Sequence, residues 1–328
     1  MSINANGNIL LVGLPAAGKT SFLAALYHQA SADVEDKKLH EYQMSADTTY
    51  LKLIHRKWLS CERLDRTINV VSTSTRDVVM HLETVPEGTR FDLHIPDVAG
   101  ESFMTQFTDR LWELTYEAEV RSARGLIVFI HPEKIKQHVL IDDIQRAANS
   151  LAELDLDGTE STEQAADSNH QPDLDSGEPT NVADQLSHAE PKTPVVGFKV
   201  EECPTQVVLT DLLINHLEFN DEAHLNIAIV ISAWETVLKK EDHTPEKWLE
   251  INFKLLYQYL NCNFEHIKYK VFGISAQGGD IEDESDKLRL QDCDEPADKV
   301  IVQVGNQLNK NICLPIEWII EQWEKNER

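Results

Sequence analysis

Four short runs rich in β-branched residues punctuate the chain: Ile9–Val12, Gly125–Ile130, Asn226–Ile231 and Lys270–Ile274. Apart from Asn226 and Lys270 at their starts, they show no alternation of apolar and polar positions, which predicts strands buried on both faces of a sheet. Between them, Ser21–Gln29, Phe103–Val120, Thr205–Leu217 and Glu246–Leu260 repeat apolar residues at helical spacing, and Tyr42–Leu64 reads as a further helical region. Thr244 is placed to cap the Glu246–Leu260 helix, with Pro245 at its first position. Strands alternating with helices predict a parallel sheet with right-handed crossovers.

One pair of segments breaks that rhythm. Arg76–Glu83 and Arg90–Pro96 are joined by TVPEGT, a turn containing Pro86 and Gly88. This predicts a hairpin after the first helix and one antiparallel strand at an edge of the sheet. A different break comes at 150–194, where Asp and Glu abound and no lysine or arginine appears before Lys192. Such a segment buries too little apolar surface to offset its ordering entropy, so we expect a disordered acidic insertion, either a solvated linker or a docking segment for a basic partner. The expected organisation is one α/β domain formed by 1–149 and 195–328 around that insertion.

Composition then narrows the function. A net charge of −26 in 328 residues excludes a general nucleic-acid binder and a protein drawn to anionic membranes. The apolar runs are too short to span a bilayer, and MSINANGN lacks a basic region and an apolar signal core, so no membrane insertion and a cytoplasmic location are expected. Cys61, Cys203, Cys262, Cys293 and Cys313 are scattered without CxxC spacing, which favours reduced thiols over a disulfide framework. Thirteen dispersed histidines form no HExxH pattern, and no nucleophile elbow supports a Ser/His/Asp hydrolase.

The candidate chemistry begins where the first strand ends. Gly13, Leu14, Pro15, Ala16, Ala17, Gly18, Lys19 and Thr20 match GxxxxGK[ST] in full, after a predicted strand and opening a predicted helix that continues through Ser21. Backbone N–H groups of such a loop, backed by the helix dipole, face an anion. Lys19 is placed to reach the β- and γ-phosphates of a nucleotide, and the Thr20 hydroxyl to ligate Mg²⁺. At the end of the hairpin, IPDVAGE places Asp97 to hold the same Mg²⁺ through water and Gly100 to offer its N–H to the γ-phosphate. These motifs predict a three-layer α/β/α P-loop NTPase.

P-loop, hairpin and DxxG together resemble the Ras-like GTPases of the TRAFAC class, and the resemblance covers the chain outside the acidic segment. More narrowly, PDVAGE, His131–Pro132, PTQVVLTDLL and PIEWII are similar to bacterial GTPase domains of the double-GTPase kind. The resemblance implies a Mg²⁺-dependent switch that hydrolyses GTP to GDP and phosphate and works with a protein effector or activating partner, another GTPase among the candidates. It implies a switch threonine before the hairpin, for which Thr73 and Thr75 are available and Thr75 lies closer to the strand. It implies a base-reading motif after LNIAIVIS, where Ser232-Ala233-Trp234-Glu235 stands. Glu235 would accept the two guanine donors and Trp234 would pack beside the base, although Ala233 replaces the usual lysine, which leaves adenine or a relaxed site open. Ser275, Ala276 and Gln277 resemble the loop whose N–H meets the guanine oxygen. Glu101 replaces the customary water-orienting glutamine, so slow intrinsic hydrolysis is expected. The alternatives are a nucleotide-dependent scaffold with little turnover and an ATP-preferring NTPase. Arg110, Arg121 and Arg124 are expected to be surface helix residues rather than catalytic fingers.

Overall fold

The computed structural model describes residues 7–31, 38–45, 48–64, 78–96, 101–137, 202–222, 224–240 and 243–326. The predicted acidic insertion, Thr73, Thr75, Asp97 and Gly100 lie outside the described residues. Of Glu101, only its backbone place at the start of a helix is described.

The strands are β1 (Gly7–Gly13), β2 (Leu39–Gln43), β3 (Val78–Thr84), β4 (Arg90–Ile95), β5 (Ala123–Ile130), β6 (Leu225–Ile231), β7 (Ile267–Ser275), β8 (Ile301–Val304) and β9 (Gln307–Asn309). They form one sheet in the order β2-β3-β4-β1-β5-β6-β7-β8-β9. β4, β1, β5, β6 and β7 pair in parallel, while β3 and β8 run against them. The predicted parallel core and the hairpin are thus present, but the edges differ from expectation. β3 is not the outer strand, because β2 pairs antiparallel outside it, and β8–β9 adds a second antiparallel pair at the other edge. Apolar patterning misses these strands because β2 buries only Leu39 and β9 buries nothing.

The helices are α1 (Lys19–Ser31), α2 (Thr48–Leu59), α3 (Glu101–Asp109), α4 (Leu114–Ser122), α5 (Thr205–Phe219), α6 (Trp234–Leu238), α7 (Pro245–Asn252), α8 (Lys254–Cys262), α9 (Glu284–Gln291) and α10 (Leu314–Asn326). Two predicted helices are split. Phe103–Val120 breaks at Arg110, whose φ of 56° ends α3, and Glu246–Leu260 breaks at Phe253, which is wholly buried between α7 and α8. The helical region expected over Tyr42–Leu64 is shorter, since Tyr42 belongs to β2. The Thr244 cap forms as predicted, its hydroxyl accepting the Lys247 N–H at 3.2 Å.

Strand periodicity sorts the core into two layers. Ile9, Leu11, Ile127, Phe129 and Val230 face α1, α2 and α10 on one side of the sheet. Leu10, Val12, Leu126, Val128 and Ile229 face α4, α5, α7 and α8 on the other. Trp323 of α10 is buried, and its indole N–H donates to the Arg124 carbonyl at 2.9 Å. Of the three candidate finger arginines, Arg121 is on α4 and meets Glu117, Arg110 follows α3 and meets Asp211, and Arg124, expected on a surface helix, is instead on β5 with its guanidinium 4.9 Å from the Trp323 ring centre.

Where α4 meets α5, His216 is wholly buried, with Nε2 2.5 Å from the Tyr116 hydroxyl and Nδ1 2.6 Å from the Leu212 carbonyl. A carbonyl only accepts, so Nδ1 carries the proton and Tyr116 donates to Nε2. Burial pulls the His216 pKa from 6.5 down to about 4. The unfolded chain therefore takes up a proton that the native state refuses. Stability from this site is complete above about pH 6.5 and is lost as pH falls toward 4. Unfolding measured in urea across that window should show a fall of about 3 kcal/mol attributable to this group. His216→Gln should lack that portion of the pH dependence; an unchanged slope in the variant would assign the loss elsewhere.

Candidate functional site

β1, β5, β6 and β7 end side by side, with Gly13 opposite Phe129, Ile130 opposite Ile231, and Ile231 opposite Gly273. The carboxyl ends of parallel strands are where loops can converge on a ligand. Here they frame a cleft of about 390 Å³, lined by Gly18, Ser21, Ser232, Glu235, Ser275, Ala276 and Gln277 among others.

The first wall is the turn from β1 into α1. Ala16 and Gly18 take left-handed backbone angles, φ 59° and 93°, and the Ala17 N–H closes the turn on the Leu14 carbonyl at 3.2 Å. At Gly18 a side chain is excluded twice over. The backbone angle disfavours one, and a Cβ would lie 2.7 Å from that of Ser232. Lys19 begins α1 and is buried; its ammonium donates to the Gly13 carbonyl and to that of Leu14 at 3.3 Å, and stands 5.7 Å from the Phe103 ring centre. Thr20 and Ser21 occupy the first helical turn. A buried ammonium beside a tight Gly-rich turn at a helix N-terminus is a phosphate-binding arrangement.

The second wall is the turn from β6 into α6. Ala233 is left-handed, φ 46°, and begins the turn that swings Glu235 onto the cleft. Oε2 of Glu235 is buried and has no hydrogen-bond partner among the described residues. Burial raises the pKa of this carboxyl above the ordinary glutamate value, and Asp280 adds to the effect; the Ser275 hydroxyl, the residue's own N–H and Lys239 oppose it. An orphaned carboxylate oxygen at a cleft wall suits a ligand edge that brings its own N–H donors. Ser232, buried beneath the same turn, packs on Gly18 and joins the two walls.

Trp234 does not reach the cleft, contrary to its expected place beside a base. It is wholly buried, its N–H donates to Gln303 Oε1 at 2.7 Å, and Gly273 gives it room, since a Cβ there would lie 2.3 Å from the indole. The residue's bulk serves the core because the helical turn directs neighbouring side chains to different faces.

The third wall is Ser275–Gln277. The Ser275 hydroxyl accepts the Gly278 N–H at 2.9 Å, which shapes the loop, and Ala276 and Gln277 line the cleft. Sequence reasoning missed Glu62, Leu64, His131 and Lys134, which also line it. In sequence His131 stands out only through the His131–Pro132 dipeptide; its Nδ1 accepts the Glu133 N–H at 3.2 Å, capping the short turn after β5, and burial lowers its pKa. No local pattern marks Leu64, which meets cleft residues spread from Gly18 to Glu282.

Among the described residues no group of His, Cys, Asp or Glu forms a metal site, and no helix is long and apolar enough to cross a membrane. Of the three expected Mg²⁺ ligands, Thr20 alone falls within the described residues, on the first turn of α1 beside Lys19.

A mostly parallel sheet with helices on both sides and a GxxxxGK[ST] turn at the end of its first strand defines a P-loop nucleotide-binding domain of the GTPase class. The family model for Double-GTPase 1 matches residues 10–319, and the chain belongs to that family. No curated protein matches the chain. Among solved structures it is similar to a chain of the signal recognition particle receptor SRb-GTP/SRX complex from Chaetomium thermophilum, at 12% identity over 83% of this chain and 91% of that one. The TM-score is 0.31.

Proposed function

We propose that the chain binds GTP with Mg²⁺ and hydrolyses it to GDP and phosphate, so that the nucleotide state switches its contacts with a protein partner. The observation that carries the base assignment is Glu235, whose Oε2 has no donor among the described residues and which lines the same cleft as Gly18 and Ser21 of the P-loop turn. Guanine presents two adjacent N–H donors to such a group; the corresponding edge of adenine presents one donor and one acceptor. The Lys19 ammonium would exchange its bonds to the Gly13 and Leu14 carbonyls for phosphate oxygens, and the loop amides would hold the rest of the anion. The Thr20 hydroxyl fits a Mg²⁺ ligand, and the ion would neutralise developing phosphate charge. Thr75, Asp97 and Gly100 complete the proposed metal and γ-phosphate set from the sequence alone, with Glu101 next to them. A carboxylate in that position repels the γ-phosphate, which supports slow turnover without a partner.

Titration of purified protein with GTP and ATP in the presence of Mg²⁺, followed by steady-state phosphate release, tests the proposal. Preference for GTP with release of phosphate is expected. Tight GTP binding without release would favour a nucleotide-dependent scaffold, and preference for ATP would overturn the reading of Glu235.

A further inference from the structure

The loop that lines the base end of the cleft is held by a helix far away in sequence. Trp58, the penultimate residue of α2, is wholly buried, and its indole N–H donates to the Ala276 carbonyl at 2.8 Å. Gln277 answers with its side-chain amide, which donates to the Trp58 carbonyl at 3.4 Å. The grip continues on either side of this pair. Buried Lys299 donates to the Leu59 carbonyl at 3.2 Å and stands 5.5 Å from the Trp58 ring centre. Gln291 donates to the Ser60 carbonyl at 3.0 Å, and Arg63 pairs with Glu282 at 3.2 Å. The chain then runs from this clasp through Glu62 and Leu64, which line the cleft itself.

A trans peptide group is planar, with C=O and N–H pointing in opposite directions. Fixing the Ala276 carbonyl on Trp58 therefore turns the Gln277 N–H to the side away from α2. The Trp58 indole has one donor, and a buried donor needs its acceptor, so the loop cannot rotate that peptide without leaving both groups unpaired.

We propose that Trp58 is a positioning residue for base recognition: by holding the Ala276 carbonyl it keeps the Ser275–Gln277 amides aimed at an acceptor on the base. The proposal rests on the reading of the cleft as a guanine site. It assigns to α2 a share in specificity that neither the P-loop nor the Glu235 turn supplies, and it leaves the phosphate end untouched.

The test uses the full chain with Mg²⁺ and compares dissociation constants for GDP, ADP and pyrophosphate. Trp58→Phe keeps an aromatic ring and removes the donor. Its GDP-over-ADP preference should fall about fivefold, the scale of one hydrogen bond, with pyrophosphate affinity unchanged. An unchanged preference overturns the proposal. Ile54→Val trims the same helix at a buried position and should keep the wild-type preference; an equal fall there would mean that any loosening of α2 suffices, and would also overturn it. Should Trp58→Phe fail to fold, hydrogen exchange on the wild type decides. GDP should slow exchange in the last turn of α2 more than pyrophosphate does, and equal protection counts against the proposal. Wild-type protein with no preference for GDP over ADP refutes the guanine reading itself, before any variant is compared.

Discussion

Lys19→Ala should lower GTP turnover by about 100- to 1000-fold, the usual cost of deleting one preorganised donor to a developing anion. Lys19 opens α1, so its side chain leaves the helix at the end where the backbone dipole is positive and the first amides lack intrahelical partners. Its ammonium is already desolvated and already holds carbonyls of the loop that would cradle phosphate, so little reorganisation separates the resting and bound arrangements. Alanine is a good residue for a first helical turn, and the variant should fold. Measuring nucleotide affinity beside phosphate release tells two roles apart. Loss of both means that the ammonium holds the ground state; loss of release alone means that it acts on the charge that develops during transfer. Turnover at the wild-type rate in the variant would remove the P-loop from the chemistry altogether.

The phosphate half of the site was legible in sequence because its parts are contiguous. One strand, one turn and one helix between Gly7 and Ser31 supply the glycines, the lysine and the hydroxyls together, and each element follows from local pattern. The parallel core was legible for a similar reason: strands buried on both faces carry unbroken apolar runs, as β1, β5 and β6 do after Asn8, Arg124 and Asn226. Edge strands carry no such signature. β2 pairs through backbone groups that any sequence provides, and its side chains are mostly half-exposed. Helix breaks were hidden as well, since the apolar spacing continues across Arg110 and Phe253 while the backbone turns. The base half of the site was legible only in part. Glu235, Ser275 and Ala276 meet in one cleft as the motif spacing implies, but Trp234, next to Glu235 in sequence, faces the core. Trp58 and Leu64 reach the site through tertiary packing alone, and nothing in their own neighbourhood announces it.

Glu235→Ala should weaken GDP binding by 100-fold or more, since two hydrogen bonds to a charged acceptor are together worth about 3–6 kcal/mol. ADP binding should change little, so the variant converts a selective site into a permissive one. The same substitution should leave the ligand-free protein as stable as wild type or more so. A buried carboxyl whose pKa is raised above its unfolded value costs stability once it ionises; its contribution is complete below the unfolded pKa and is lost as pH rises through the folded one. Whenever that carboxyl is ionised, the ligand-free protein bears its desolvation with one oxygen that has no partner among the described residues, and alanine removes that burden. Binding has the opposite dependence on acid. The two guanine donors need the ionised acceptor, so GDP affinity should fall as pH drops through the raised Glu235 pKa, beginning above the range of an ordinary glutamate. The discriminating measurement is a pH series of GDP and pyrophosphate affinities on wild type and Glu235→Ala, with thermal melts of both proteins without ligand. An acid-side loss for GDP that is absent for pyrophosphate and absent in the variant fits Glu235 as the base-reading group. A variant that melts well below wild type while keeping its preference for GDP would make Glu235 a structural residue and move recognition elsewhere in the cleft.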